Sequence, residues 1–179
     1  MKEILAGVLI GMGNVALLTV DNRYIGALLF SVALLSIIEL GLPLYTGRIG
    51  QIIHHGNFLV CLYILFMNVV GVGLMTCLAT TLDDEFIGKL ENAAIHKFDR
   101  TCLQLFIAGI LCNVLIHVAV TARNTAVTIL CVMVFILSGY EHSIADFMYA
   151  LASGDIYKWL FVVLGNTVGG VMTGIFLSV

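Results

Sequence analysis

Charge is what this chain has least of. Aspartate, glutamate, lysine and arginine make up 11% of its 179 residues, against about 25% in a soluble domain. No run of basic residues is long enough to bind nucleic acid or a charged lipid surface, and the net charge is −3. The five cysteines, Cys61, Cys77, Cys102, Cys112 and Cys131, form no Cys-x-x-Cys pair and have no histidine at ligand spacing. They read as small packing residues, and no metal or cofactor is expected. Basic residues followed by a small-residue cleavage site are missing before the first apolar stretch, so no cleavable signal is expected. A nucleophile and base at usable spacing are also missing, which argues against an enzyme.

What is present is oil. Hydrophobic residues reach 61% and the mean hydropathy is +1.10. A span needs about 20 apolar residues, so the length holds five or six spans and little else. The first run is Ile4 to Val20, closed by Asp21-Asn22-Arg23, and the second is Tyr24 to Leu40, stopping at Gly41-Leu42-Pro43. Pro43 is the single proline, and with Gly41 and Gly47 it predicts a helix break. Inside lipid, a break survives only where freed backbone groups are buried in protein or line a watery cavity. A third run covers Phe58 to Thr80, after a polar stretch with Arg48, Gln51, His54 and His55, the two histidines being expected at the membrane interface. Asp83 to Arg100 is the one long polar segment, an extramembranous loop with room for a short amphipathic helix.

The second half repeats the first: Cys102 to Ala122, a turn at Arg123-Asn124, Val127 to Leu137, the polar stretch Ser138 to Asp146, and Trp159 to Val179. Ala6-Gly7-Val8-Leu9 corresponds to Ala108-Gly109-Ile110-Leu111, and Gly56-Asn57 to Gly165-Asn166. The Leu44-Tyr45-Thr46 break stands opposite Gly139-Tyr140-Glu141-His142. Three helices per half predicts halves of opposite orientation, repeats of about 1–82 and 100–179 in one transmembrane domain, with the solute path at their interface. Glu141, His142 and Asp146 are ionisable groups at membrane depth, which cost roughly 2.5–3.5 kcal/mol to insert and persist where they face a cavity. A pore or a relay is the default reading.

These residues resemble the formate/nitrite transporter family of pentameric, aquaporin-like anion channels. Ile110-Leu111-Cys112-Asn113, Ser138-Gly139-Tyr140-Glu141-His142-Ser143-Ile144-Ala145 and Gly165-Asn166-Thr167-Val168-Gly169-Gly170 look like its fourth, fifth and sixth helix motifs, and Leu44-Tyr45-Thr46 looks like the loop of its broken second helix. The resemblance implies an all-α membrane protein of six segments, two inverted three-helix repeats with broken second and fifth helices. It implies a pore through each protomer of a homopentamer in the cell membrane, with both termini cytoplasmic. His142 becomes the pore histidine and Thr46 the hydroxyl facing it. Leu44 and Tyr45 form one constriction, with Phe30, Leu34 and Phe135 as further narrowing residues. Asn113 and Asn166 are pore-side or loop-bracing amides, Glu141 stands beside the histidine, and Lys97 is a vestibule cation. The implied cargo is a small monovalent anion or its neutral acid: formate, nitrite or hydrosulfide.

The chain also departs from the family pattern. Leu42 and Pro43 replace the small residue and aspartate common before the loop, while Glu39 appears one turn earlier and His117 on the fourth helix. Glu39 either repels anions from the pore or braces the loop in place of the aspartate. Asp146 stands where asparagine is frequent. Without terminal extensions a terminal gating arm is not expected. His117 is expected to hydrogen-bond between helices, and Tyr24, Tyr157 and Trp159 to anchor at the membrane interface. Positive charge gives the topology no support, since Lys2, Arg48 and Arg123 share the amino-terminal side whereas Arg23, Lys89, Lys97, Arg100 and Lys158 lie opposite. Two other readings stay open: a channel for a neutral solute such as ammonia or hydrogen sulfide, and a haem or quinone subunit ligated by His117 and His142.

Overall fold

The computed structural model of the chain describes residues 1–52 and 57–177. The expectations for His54 and His55, and the Gly56 part of the repeat, lie outside the described residues. Among the described residues there are nine helices and no strand. They are α1 (Lys2–Thr19), α2 (Arg23–Glu39), α3 (Tyr45–Ile49), α4 (Phe58–Leu82), α5 (Asp84–Phe98), α6 (Cys102–Ala122), α7 (Thr125–Leu137), α8 (Ser143–Ser153) and α9 (Ile156–Phe176). Four of them, α1, α4, α6 and α9, are long and apolar enough to cross a membrane.

The contacts between helices have a simple pattern. α1 packs on α2 and α4, α6 packs on α7 and α9, and α2 meets α7 between the two groups. Glycines set the close pairs: a Cβ on Gly7 would run into the Asn68 backbone of α4, and one on Gly165 into the Phe106 backbone of α6. Without a hydrophobic drive between helices in lipid, such close backbone approach supplies the packing energy.

Both polar stretches anticipated from the sequence are helix breaks of one design. At the end of α2, Gly41 takes φ +61, and the N–H of Leu42 reaches back to the Ile37 carbonyl at 2.9 Å. At the end of α7, Gly139 takes φ +69, and the N–H of Tyr140 reaches the Phe135 carbonyl at 2.9 Å. This left-handed glycine stop leaves carbonyls satisfied. The chain then runs extended to the N-cap residues Leu44 and His142 before α3 and α8 begin. The polar stretch Ser138 to Asp146 is therefore not all loop, since its last four residues already belong to α8.

One asparagine holds each break. Asn68 of α4 accepts the Tyr45 N–H at 2.8 Å and donates to the carbonyls of Pro43 at 3.1 Å and Glu3 at 2.7 Å. Asn166 of α9 accepts the Ser143 N–H at 2.7 Å and donates to the carbonyls of Glu141 at 2.9 Å and Gly109 at 2.8 Å. The sequence match of Gly56-Asn57 to Gly165-Asn166 thus falls on the wrong asparagine. Asn57 caps α4 by accepting the Leu59 N–H, whereas the counterpart of Asn166 is Asn68, fully buried in the middle of its helix.

α5 is the amphipathic helix that the polar segment had room for. Phe86, Leu90, Ala94 and Phe98 recur every four residues and are buried, so one face packs on the bundle. Trp159, expected at the interface, is buried, and its indole N–H donates to the Ser143 carbonyl at 2.7 Å. Tyr24 and Tyr157 are exposed.

Replacing Asn68 or Asn166 by leucine leaves one N–H and two carbonyls buried without partners, at about 1–3 kcal/mol for each. Unfolding in detergent should show a loss of at least about 3 kcal/mol for either variant. Asn57→Ala, an exposed cap, should cost about 1 kcal/mol. Equal losses for all three would mean that the buried amides do not hold the breaks.

Candidate functional site

Two cavities enter the bundle from opposite ends of α2. The first, about 460 Å³, is lined by Leu34, Ile37, Glu39, Leu44, Arg48 and Arg123 among others. The second, about 450 Å³, includes Arg23, Phe30, Lys97, Phe135, His142 and Asp146 in its lining. Leu34 belongs to one and Phe30 to the other. At 1.5 Å per residue the two cavities stand about 6 Å apart along α2.

Between them lies a chain of contacts made by residues singled out in the sequence. Phe30 meets Phe135 edge-on, with ring centroids 6.0 Å apart. Phe135 stacks on His142, again at 6.0 Å, with 21° between the planes. His142 Nε2 lies 3.0 Å from Thr46 Oγ1. Thr46 is fully buried and His142 is 2% exposed. α2, α7, α8 and α3 each contribute to this barrier, and the two glycine stops bring Leu44 and His142 to equivalent places in their breaks.

His142 has two tasks. Its Nδ1 accepts the N–H of Ala145 at 3.1 Å, which caps α8. A neutral imidazole carries one proton, so with Nδ1 accepting, the proton stands on Nε2 and is donated to Thr46.

Lys97 does not stand in the cavity as a free cation. Its ammonium is bound to Glu141 and to Asp146 Oδ1, the latter at 3.0 Å. The other oxygen of Glu141 takes Arg100 at 2.9 Å, and Arg100 also donates to the Gly139 carbonyl at 2.7 Å. The Tyr149 ring lies 4.8 Å under the ammonium. Burial opposes the charge on Lys97, but Asp146 and Glu141 outweigh it and raise the pKa of the ammonium above its ordinary value. The sequence offered Lys97 as an attracting charge, whereas two carboxylates compensate it.

Other expected residues fall outside the barrier. Tyr45 turns to α9, where its hydroxyl pairs with Thr167 at 2.7 Å, and it lines neither cavity. Asn113 donates to the Asn166 carbonyl at 2.7 Å and so braces α6 against α9. His117 is buried against Gly50 and lines neither cavity; its Nδ1 has no partner among the described residues, contrary to the interhelical bond expected of it. Glu39 is exposed at the mouth of the first cavity. It does not brace the Pro43 loop, because Asn68 holds that carbonyl. Asn68 was missed by sequence reading, and its signal was a lone amide inside an otherwise apolar run. Among the described residues no group of three acidic, histidine or cysteine side chains is arranged to hold a metal ion.

The family model described as "Formate/nitrite transporter" matches residues 1–179. The nitrite transporter NirC of Salmonella typhimurium is 27% identical, over 94% of this chain and 77% of its own length. The formate channel FocA of Haemophilus influenzae is 28% identical, over 75% of this chain and 55% of its own. Among solved structures, an FNT family ion channel superposes with a TM-score of 0.84 at 25% identity, covering 98% of this chain and 86% of that one. A pentameric formate channel with formate bound gives 0.78 at 26%, covering 99% and 92%.

The capping role of His142 fixes an observable. In ¹⁵N-histidine spectra of the protein in lipid, the resonance lost in His142→Ala should show a protonated Nε2 and a bare Nδ1. A protonated Nδ1 at neutral pH would rule out the cap.

Proposed function

Since the chain belongs to the formate/nitrite transporter family, we propose that it is a membrane channel for small monovalent weak-acid anions of the formate, nitrite and hydrosulfide class. The relatives named above are nitrite transporters and formate channels, and this chain is a transport protein of that family rather than an enzyme. The observation that carries the reading is the meeting of two cavities, from opposite ends, at an apolar barrier that contains one hydrogen-bonded pair, Thr46 and His142.

In this reading residues 1–179 are one channel domain of six segments. α2 with α3 and α7 with α8 are the broken second and fifth helices, and the halves of about 1–82 and 100–179 form inverted repeats. The packing pattern supports this. Exchanging α1, α2, α3 and α4 with α6, α7, α8 and α9 maps the helix contacts onto one another, and Asn68 and Asn166 do the same work in each half. Five copies form the assembly, as in the pentameric formate channel.

Both termini belong to the side of the first cavity, taken as cytoplasmic in the cell membrane. The excess of cations on the other side is then a matter of bonding. Arg23 donates to the Ile136 and Leu137 carbonyls, Lys158 to the Phe98 carbonyl, Lys89 pairs with Glu85, and Lys97 and Arg100 hold carboxylates.

Leu34, Leu44, Phe30 and Phe135 form the constrictions. A bare anion at such a place faces a Born cost of order 20 kcal/mol in the idealised limit, whereas its neutral acid does not. The Nε2–H of His142, held by Thr46, is the donor available to a permeant oxygen within the barrier. Proton-linked passage follows: the species that crosses is the neutral acid, or an anion paired with a proton.

One observation favours a second reading. With Lys97 compensated by Glu141 and Asp146, the ionised cluster of Lys97, Arg100, Glu141 and Asp146 carries no net charge. A neutral solute such as ammonia or hydrogen sulfide would cross such a cavity without penalty.

Stopped-flow light scattering on proteoliposomes separates the two. Formate, nitrite or hydrosulfide uptake should be fast, faster at acid pH, and altered by His142→Ala. Phe135→Ala should raise the flux of a bulkier weak acid such as acetate by roughly tenfold, equivalent to about 1.4 kcal/mol of barrier. Uptake of the neutral solute alone would sink the anion assignment.

A further inference from the structure

Arg123 is the one residue other than glycine with a positive φ among the described residues, at φ 47 and ψ 41. Glycine or asparagine usually occupies such a left-handed stop, because a β-carbon strains it, and Gly41, Gly139 and Gly154 fill the others in this chain. A long cationic side chain therefore stands where the backbone favours none. Strain kept in this way points to a task. A cation suits the negative end of α6, but the guanidinium forms no hydrogen bond or ion pair with a described residue. It is exposed and lines the first cavity.

Arg48 joins it there. Gly47, its neighbour in α3, lies against α6 so closely that a Cβ would stand 3.3 Å from a Val120 methyl, and Val120 is about one turn of α6 before Arg123. The Arg48 guanidinium meets only the neutral Gln51, at 3.3 Å. Glu39 lines the same mouth and pairs with neither arginine. The first cavity thus holds two cations against one carboxylate, all three exposed. By contrast, the arginine and lysine lining the second cavity are spent, Arg23 on carbonyls and Lys97 on carboxylates. The two breaks differ in the same sense, since Arg48 stands four residues after Leu44 and Asp146 four residues after His142. Equivalent places carry opposite charge.

We propose that Arg48 and Arg123 form a binding site for planar two-oxygen anions, formate and nitrite, at the mouth of the first cavity, with Glu39 opposing it. Its role in permeation rests on the anion reading above; its existence does not. A guanidinium presents its N–H donors as a fork that matches two oxygens held in one plane, and the fork of Arg123 is open. Hydrosulfide and chloride offer a single centre and gain only from the charge. A concave mouth with apolar walls focuses the field of unpaired cations and raises the local concentration of anions. The permeant is thus gathered ahead of Leu34 and Leu44, on the side of the barrier away from Lys97.

Two measurements test this on the full-length protein. In phosphatidylcholine nanodiscs the ¹³C resonance of formate should broaden saturably, and the apparent Kd should rise about tenfold when Arg48→Gln and Arg123→Gln are combined, the worth of one hydrogen bond to a charged group. In Glu39→Gln it should fall roughly threefold, a change that damage to the fold would not produce. Nitrite should displace the formate where equal chloride does not. In proteoliposomes the double variant should need about tenfold more formate for half-maximal uptake, the loss falling on half-saturation rather than on the maximal rate. An unchanged Kd in the double variant overturns the site, and chloride competing as well as nitrite overturns its preference for two oxygens. A raised Kd with unchanged half-saturation, or displacement of formate by added phosphatidylglycerol, overturns the role in permeation, the latter assigning the arginines to a lipid headgroup. Arginine-dependent binding with no anion uptake by wild type upholds the site and sinks the channel assignment instead.

Discussion

Broken helices in an apolar bundle must find partners for their freed backbone groups, and this fold depends on how it does so. Each break exposes an N–H and several carbonyls where no water competes, and each orphan costs more than a formed bond returns. The solution is one buried amide per break, Asn68 in one half and Asn166 in the other, with a left-handed glycine stop ahead of it. Everything proposed for the barrier follows from that placement. Leu44 and His142 face inward because the extended segments between stop and cap are pinned at a carbonyl and at the next N–H.

Electrostatics takes second place to this scaffold, and it is arranged as a closed set. The long cationic side chains on the face of the second cavity are spent on carbonyls and carboxylates, so that side is decorated with charge without carrying much of it. On the orientation proposed above, a count of arginines and lysines points the other way for this reason. The carboxylates are likewise committed, except for a single oxygen of Asp146.

Much of this was legible in the sequence. Apolar runs separated by Asp21-Asn22-Arg23 and Arg123-Asn124 marked the helix ends to within a few residues, because few polar residues interrupt so apolar a chain. The motif Ser138 to Ala145 identified the family and located His142, and Leu44-Tyr45-Thr46 located the Thr46 hydroxyl, which the structure joins to it at 3.0 Å. Less was legible where polar side chains choose between neighbours. Tyr45 lies next to Leu44 in sequence, yet one faces α9 and the other the first cavity, since adjacent residues at the start of a helix point about 100° apart. Asn68 looked like one polar residue in a long span, and only the fold shows that it sits opposite the Pro43 break. Lys97 looked available because its partners, 44 and 49 positions away, come together only through the packing of α5 on α8.

The cap that His142 places on α8 limits what the ring can do with a proton on the proposed route. An imidazole that conducts protons takes one up on one nitrogen and releases it from the other, then resets by turning over. With Nδ1 engaged by Ala145, the ring has only Nε2 to offer, and turning over would uncap the helix. On the proposed route, a proton brought to His142 must leave by the nitrogen it arrived on, or depart with the permeant. On that route a proton crosses only in the company of a permeant, and a bare proton has no wire through the barrier.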